Sequence, residues 1–176
     1  MTPTAPTLTT QRTVLRPFRA SDLDDFAAMW AEESVVRHIT GTPSTRSESW
    51  ARMQRHAGHW ALLGYGYWVV ADRASGRFLG ATGFGDYLRD IEPPIDGTPE
   101  AGWVMAPAAQ GRGLAREAVG AALAWADRHL PAPRTVCIIS PDHGPSLRLA
   151  AALGFGARQI ARFKEEEVAL LSRDRR

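Results

Sequence analysis

Between Trp103 and Ala115 the chain reads as a short apolar strand, a Pro-marked exit at Ala106-Pro107, a turn holding Gly111 and Gly113, and the start of a long helix. The helix is predicted over Ala115 to His129. Ala118, Val119, Ala122, Leu123 and Ala126 recur there at the spacing of about 3.6 residues that marks a half-buried helical face. Glycines ahead of a helix let several backbone N–H groups converge on one point, and the helix start adds partial positive charge. Such a turn suits phosphate. No Lys-Ser/Thr pair follows the glycines, which excludes a Walker loop. No G-x-G-x-x-G is present, and no acidic residue closes a second strand about 20 residues on, which excludes a dinucleotide fingerprint.

Four further stretches carry a resemblance. Gln110-x-x-Gly113-x-Ala115 is similar to the Q/R-x-x-G-x-G/A signature of the Gcn5-related N-acetyltransferases. The run Val136 to Ile139, followed by Pro141-Asp142-His143-Gly144-Pro145-Ser146 and closed by Leu153-Gly154-Phe155, resembles that family's P-x-N-x-x-S … K-L-G-F element. Glu100-Ala101-Gly102-Trp103-Val104-Met105-Ala106-Pro107 resembles the E-I-G-Y-W-L-x-P strand of the branch that acetylates ribosomal-protein amino termini (RimJ/RimL-type). Leu15-Arg16, followed by Ser21-Asp22-Leu23, resembles the same branch's L-R-x-x-x-x-x-D opening. The likeness runs from about Gln11 to about Leu171.

The resemblance implies acetyl-coenzyme A as acyl donor and a primary amine as acceptor, either a peptide amino terminus or a small-molecule amine. It implies direct transfer in a ternary complex, with no acyl-enzyme and no metal. It places the coenzyme against Trp103, Val104, Met105, Gln110, Gly111, Arg112, Gly113, Leu114, Ala115, Arg116, His143 and Ser146. Arg112 and Arg116 flank the turn, and arginine at a helix start is otherwise unfavourable against the dipole, which points to a phosphate partner for each.

The order of elements is legible without the family. Val14 to Phe18 is a first strand, and Ser21 is expected to cap a helix whose apolar face is Leu23, Phe26, Ala27 and Trp30. A second helix follows Pro43, with Trp50, Met53, Ala57 and Trp60 inward, and ends near Gly64. Tyr67 to Asp72, Phe78 to about Tyr87, Glu100 to Met105 and Arg134 to Ser140 read as strands, and Ala157 to Leu171 as two more. The order βααβββαβαββ predicts an α+β fold around a mixed, mostly antiparallel sheet flanked by helices. Glu100–Met105 and Arg134–Ser140 are the expected parallel pair, joined across the long helix. In the family this pair is splayed, and the pantetheine arm of the coenzyme lies in the gap.

A length of 176 residues fits a single domain, taken as residues 11–176 behind a mobile tail over 1–10. With one cysteine no internal disulfide can form, and a reducing cytoplasm is the default. The first ten residues lack the basic start and apolar centre of a signal peptide, and no apolar run approaches a membrane span. A net charge of +2 gives no argument for nucleic acid. Arg173, Arg175 and Arg176 read as a solvated end. A homodimer stays open.

Acetyl transfer to an amine needs a neutral amine, a polarised carbonyl and a stabilised thiolate. Glu100, at the family's E-I-G position, is the candidate base; the other reading is a solvated carboxylate that only attracts the amine. A backbone N–H at Val104 or Met105, freed by a bulge in family members, would polarise the carbonyl. Ser146 is the candidate donor to the departing sulfur, although a serine after proline at a helix start is also a common cap. His143 stands where the family has Asn, so the loop either holds the coenzyme differently or presents a histidine without a role. Cys137 reads as a buried thiol. The remaining histidines, His38, His56, His59 and His129, show no metal-ligand pattern, since the His56–His59 spacing supplies only two ligands.

The acceptor side is expected in the first helices and in the loop Asp86 to Glu100, where five acids face one base, Arg89. Such a loop either favours a cationic amine or is simply solvated and mobile. The rival to an enzyme is a regulatory module that binds coenzyme A or its acyl form without turnover.

Overall fold

Strand alternation and helical phase decide which face of each element is buried, and together they produce one sheet covered on both sides. The computed structural model describes residues 4–176. Its described residues form β1 (Leu8–Thr9), β2 (Thr13–Arg16), α1 (Leu23–Ala31), α2 (Glu33–Val36), α3 (Arg46–Leu63), β3 (Tyr67–Asp72), β4 (Phe78–Gly85), β5 (Ile91–Glu92), β6 (Glu100–Met105), α4 (Leu114–His129), β7 (Arg134–Ile139), α5 (Gly144–Ala152), β8 (Gly156–Phe163) and β9 (Glu166–Asp174). The strands form one sheet in the order β1-β2-β3-β4-β6-β7-β9-β8-β5. Every neighbouring pair is antiparallel except β6 and β7. This is the expected mixed sheet with one parallel pair.

Trp68, Val70, Leu79, Ala101, Met105 and Cys137 pack on one face against Ala118, Val119, Ala122, Leu123 and Trp125 of α4. Val69, Ala81 and Val104 pack on the other against Phe26, Met29 and Trp30 of α1 and Met53 of α3. Trp60, Trp68 and Trp125 meet edge to face, with ring centroids 4.8 to 5.3 Å apart. Trp60 donates its indole N–H to Tyr67 O at 3.0 Å, and Trp68 donates to Pro6 O at 2.7 Å. Both indoles keep a partner although both are buried.

Several expectations are corrected. The mobile tail is largely part of the fold: Met1–Pro3 lie outside the described residues, but Ala5 is buried in the core and Leu8–Thr9 pair with β2. Ser21 does not cap α1. The chain enters through a 3₁₀ turn, Ala20–Asp22, and Asp22 accepts from the Arg19 amide at 2.7 Å and from both ends of the Arg16 guanidinium at 2.8 and 2.7 Å. That buried pair gives Arg16 and Asp22 a structural role at this spacing. In α3 the expected Met53 and Trp60 are buried, but Trp50 is 39% exposed and Ala57 is exposed, and Ser49 and His56 complete the buried line instead. Arg173 is not solvated. It is buried, bonded at 2.9 and 2.7 Å to the Asp127 carboxylate of α4, and Arg175 donates to Asp127 O at 2.8 Å.

Truncating Trp125 to alanine removes the member of the indole trio that α4 contributes. It should destabilise the protein by about 3–5 kcal/mol, read as the shift of a urea unfolding midpoint. A loss below about 1 kcal/mol would mean that the trio packs loosely.

Candidate active site

Strands β6 and β7 touch at one place. Glu100 pairs with Val136, and Val136 N–H donates to Pro99 O at 3.1 Å. Beyond that contact β7 spends its other edge on β9, in unbroken register from Arg134–Asp174 to Ile139–Ala169. On its far side β6 pairs with β4 from Gly85–Glu100 to Gly80–Met105 without a shift. The expected bulge at Val104/Met105 is therefore absent from this ladder; the irregularity lies one strand away, between β3 and β4 at Val70/Ala71. Ala106 N–H donates to Leu79 O at 2.8 Å, which fixes the alternation. It turns the amide of Val104 toward β4 and those of Trp103 and Met105 toward the gap. A carbonyl in the gap would meet Met105 or Trp103, not Val104.

After β6 the chain makes a short 3₁₀ turn, Pro107–Ala109, and Gln110 folds back, its side-chain amide donating to Met105 O at 3.0 Å. Gly111 and Gly113 then take φ values of +71° and +73°, which other residues adopt only with strain. Helix α4 starts with no side-chain cap, leaving the first amides of a long helix, from Leu114 onward, without protein partners. Arg112 and Arg116 are exposed beside them.

A group that the sequence did not mark holds this turn. Glu117, in the first turn of α4, accepts from Thr10 Oγ1 and Arg12 N, both at 2.6 Å, and from Arg12 Nε at 2.8 Å. Arg12 also donates to Arg112 O at 2.9 Å. Thr10, at the end of the segment read as a tail, and Arg12 just after it thus fasten the glycine turn. Burial alone would raise the Glu117 carboxyl; the bonds from Thr10 and Arg12 outweigh it and bring its pKa down to about 2.

On the far side of the gap, His143 caps α5 and Ser146 is its third residue, so Ser146 is not the cap. Trp103 Nε1 donates to Ser146 Oγ at 3.3 Å. An indole N–H can only donate, so the serine accepts there and its own proton stays available. His143 Nε2 lies 3.5 Å from the same oxygen, and its ring stacks on His38 at 4.8 Å. Burial, and then His38, lower the His143 pKa.

Glu100 lies on the other face of the sheet. Residues two apart share a strand face, so Glu100, Gly102 and Val104 look toward α1 and α3, and Trp103 looks toward α4 and α5. The two candidate catalytic side chains are not brought together. They approach the gap from opposite sides. Glu100 is buried, and both its oxygens accept from Arg89, at 2.7 and 2.9 Å. Arg89 lies between the rings of Tyr87 and Phe163, at 4.6 and 4.9 Å. Burial raises the pKa of both the Tyr67 and the Tyr87 phenols. The Tyr67 hydroxyl rests against Gly102, where any side chain would collide with it. The loop before β6 is pinned, not mobile: Asp86 accepts from Leu88 N and Gly97 N, and Ile91–Glu92 pair with β8. Cys137 is buried, and that burial pushes its thiol pKa up.

A family model described as an acetyltransferase (GNAT) domain matches residues 12–156. The chain belongs to the GNAT acetyltransferases. It is similar to the N-acetyltransferase p20 of Bacillus licheniformis, 25% identical over 161 residues, which cover 91% of this chain and 88% of that one. Among solved structures it is similar to a GnaT-family acetyltransferase from Bordetella pertussis, with 35% identity and a TM-score of 0.84 over 96% of this chain and 99% of the other. RimL, a ribosomal L7/L12 α-N-protein acetyltransferase in complex with coenzyme A, shares the fold at 13% identity, with a TM-score of 0.76 over 96% and 98% of the two chains.

In this acetyltransferase Glu117→Gln tests the anchor of the glycine turn. The folded carboxyl titrates near 2 against an ordinary 4.5, so its stabilisation is present above about pH 4.5 and is lost as pH falls toward 2. The substitution should cost about 1–2 kcal/mol at neutral pH. The gap between the urea midpoints of the two proteins should narrow from about pH 4.5 down and close near pH 2; a constant offset across that range would place the effect elsewhere.

Proposed function

We propose that the chain transfers an acetyl group from acetyl-coenzyme A to a primary amine, a peptide amino terminus or a small-molecule amine, within a ternary complex. The observation that carries this reading is the gap between β6 and β7, which pair at one position only, together with the uncapped start of α4 that follows β6. The residues fit the coenzyme. Amides of Gly111 to Arg116, with the Arg112 and Arg116 side chains, would hold the pyrophosphate; Trp103, Met105, His143 and Ser146 would line the arm. When bound, acetyl-coenzyme A supplies a thioester carbonyl: the amine nitrogen forms the C–N bond and the C–S bond breaks, leaving a thiolate. The Met105 amide is oriented to donate to the carbonyl oxygen. Ser146, fixed by Trp103, donates its proton toward the leaving sulfur. Glu100 takes the amine's proton through its remaining lone pairs, directly or through water, while Arg89 holds the carboxylate in place.

The likeness of β6 to the ribosomal-protein branch, and of the fold to RimL, supports a peptide amino terminus among the acceptors. A single buried cysteine supports a reducing cytoplasm. The second reading, a coenzyme-binding module without turnover, draws on the Arg89 clamp that occupies both oxygens of Glu100.

Acetyl-coenzyme A should raise the melting temperature by mass action, and Gly113→Asp should abolish the rise, since the left-handed turn would be strained and a carboxylate would repel the pyrophosphate. An undiminished rise in that variant would remove the phosphate assignment. Thiol release then separates enzyme from module. Glu100→Gln keeps an acceptor for Arg89 but cannot take a proton; it should lower kcat by at least about a hundredfold and move the rising limb of the pH–rate profile upward. Ser146→Ala should lower kcat at every pH, by about tenfold. Near-normal rates in both would assign catalysis to positioning and backbone polarisation alone.

A further inference from the structure

Ser146 stands between two rings carried by different elements. Trp103 Nε1 of β6 lies 3.3 Å from its hydroxyl oxygen, and His143 Nε2 at the start of α5 lies 3.5 Å from it. Each ring is held by another. Phe155 packs against the Trp103 indole with centroids 6.3 Å apart, and His38 stacks on the His143 imidazole at 4.8 Å with the planes 18° apart. His38 belongs to the turn that closes α2, where Val36 O accepts from the amides of Ile39, Thr40 and Gly41 at 2.8 to 3.0 Å. The histidine pair thus joins that turn to the start of α5. His143 caps α5 by position only, since its side chain bonds none of the first helical amides.

A hydroxyl has one proton and two lone pairs. Among the described residues the partners of the Ser146 hydroxyl are these two rings. The indole takes one lone pair, because it can only donate. The tautomer of His143 decides the rest. Burial, followed by His38, lowers the pKa of that ring, so near neutral pH it carries a single ring proton. With that proton on Nδ1, Nε2 is an acceptor and draws the serine proton to itself. With it on Nε2, the ring donates, both lone pairs are filled, and the serine proton is left for a group in the gap.

We propose that His143 carries its proton on Nε2 and donates it to Ser146, as the positioning residue that aims the serine hydroxyl at the leaving sulfur. The proposal rests on the acetyl-transfer reading above and adds the group that makes Ser146 a donor there. The C–S bond breaks, its electron pair stays on sulfur, and the thiolate accepts from Ser146 Oγ, while His143 keeps its proton. Both contacts to the serine are long for hydrogen bonds, so the hydroxyl is oriented by the pair and not by either ring alone. The choice of histidine follows. Nε2 is the far nitrogen of the ring; a glutamine amide reaches as far, whereas an asparagine amide reaches only the place of Nδ1 and falls short of Ser146.

Long-range proton–nitrogen correlation NMR of the free protein at about pH 8, above the imidazole range, reads the tautomer of His143. The Nε2–H form is expected, and the Nδ1–H form overturns the proposal. Thiol release with acetyl-coenzyme A is then followed with two amines, an alanine-initiated peptide and butylamine. His143→Asn should lower kcat about fivefold and leave KM for acetyl-coenzyme A within about twofold. His143→Gln should stand at least about threefold above His143→Asn in kcat. In the Ser146→Ala background His143→Asn should cost less than about twofold more, because the group it positions is gone. A raised KM with kcat unchanged, an additive loss in the double variant, or Asn equal to Gln overturns the proposal and leaves acetyl transfer standing. No thiol release by the wild-type protein with either amine overturns acetyl transfer and the proposal with it.

Discussion

One inter-strand contact governs the rest of the molecule: Glu100 against Val136, with Val136 N–H bonded to Pro99 O, and no pairing of β6 with β7 beyond it. Strands joined by a helical crossover gain by continuing to pair, and unpaired backbone groups inside a sheet are costly. Here β7 completes its other edge with β9, and β6 completes its own with β4, so each strand is supported on one side only. Of the β6 groups left facing the gap, Met105 O is met by Gln110 and the amide of Met105 is not. Because the pair is parallel, its wide end lies where both strands finish. The Gly111–Gly113 turn and the His143–Ser146 segment, far apart in sequence, therefore flank one opening.

The division of labour follows from the pleat. A strand cannot present adjacent side chains to the same face. With Trp103 on the α5 side holding Ser146, Glu100 must lie on the α3 side with the acceptor elements. On the proposed mechanism, a proton taken from the amine and one given to the thiolate would travel by separate groups on separate sides of the sheet. The Arg89 clamp belongs to the same logic. Removing one partner of a buried pair costs about 3–5 kcal/mol, so the Arg89 guanidinium and the buried Glu100 carboxylate depend on each other.

Much of this was legible in the residues, for stated reasons. β3 and β6 match their expected bounds because glycine or proline brackets each, and α4 because its apolar repeat is unbroken. The phase of α3 was not legible. It was anchored on Trp50, yet the buried line runs through Ser49 and His56, whose polar names hide that their rings and small volume fit the core. The expected bulge at Val104/Met105 failed because family geometry, not residue chemistry, suggested it. The ion pairs Arg89 with Glu100 and Glu117 with Arg12 at the site, and Arg173 with Asp127 in the fold, join charges across loops whose course no local pattern encodes. Read singly, Arg173 looked like a solvated end, and Glu100 like a base or a solvated carboxylate.

The Glu117 anchor resolves an apparent conflict at the coenzyme turn. An acid in the first turn of a helix is stabilised by the dipole and would compete with any anion for the same amides. Here its oxygens face Thr10 and Arg12 instead, so its charge is matched sideways and the amides from Leu114 onward are left free. Arg112 and Arg116 then add positive charge to a helix end that already repels it. That arrangement suits an anion at the helix start, and the bonds of Thr10 and Arg12 to Glu117 hold the turn's shape.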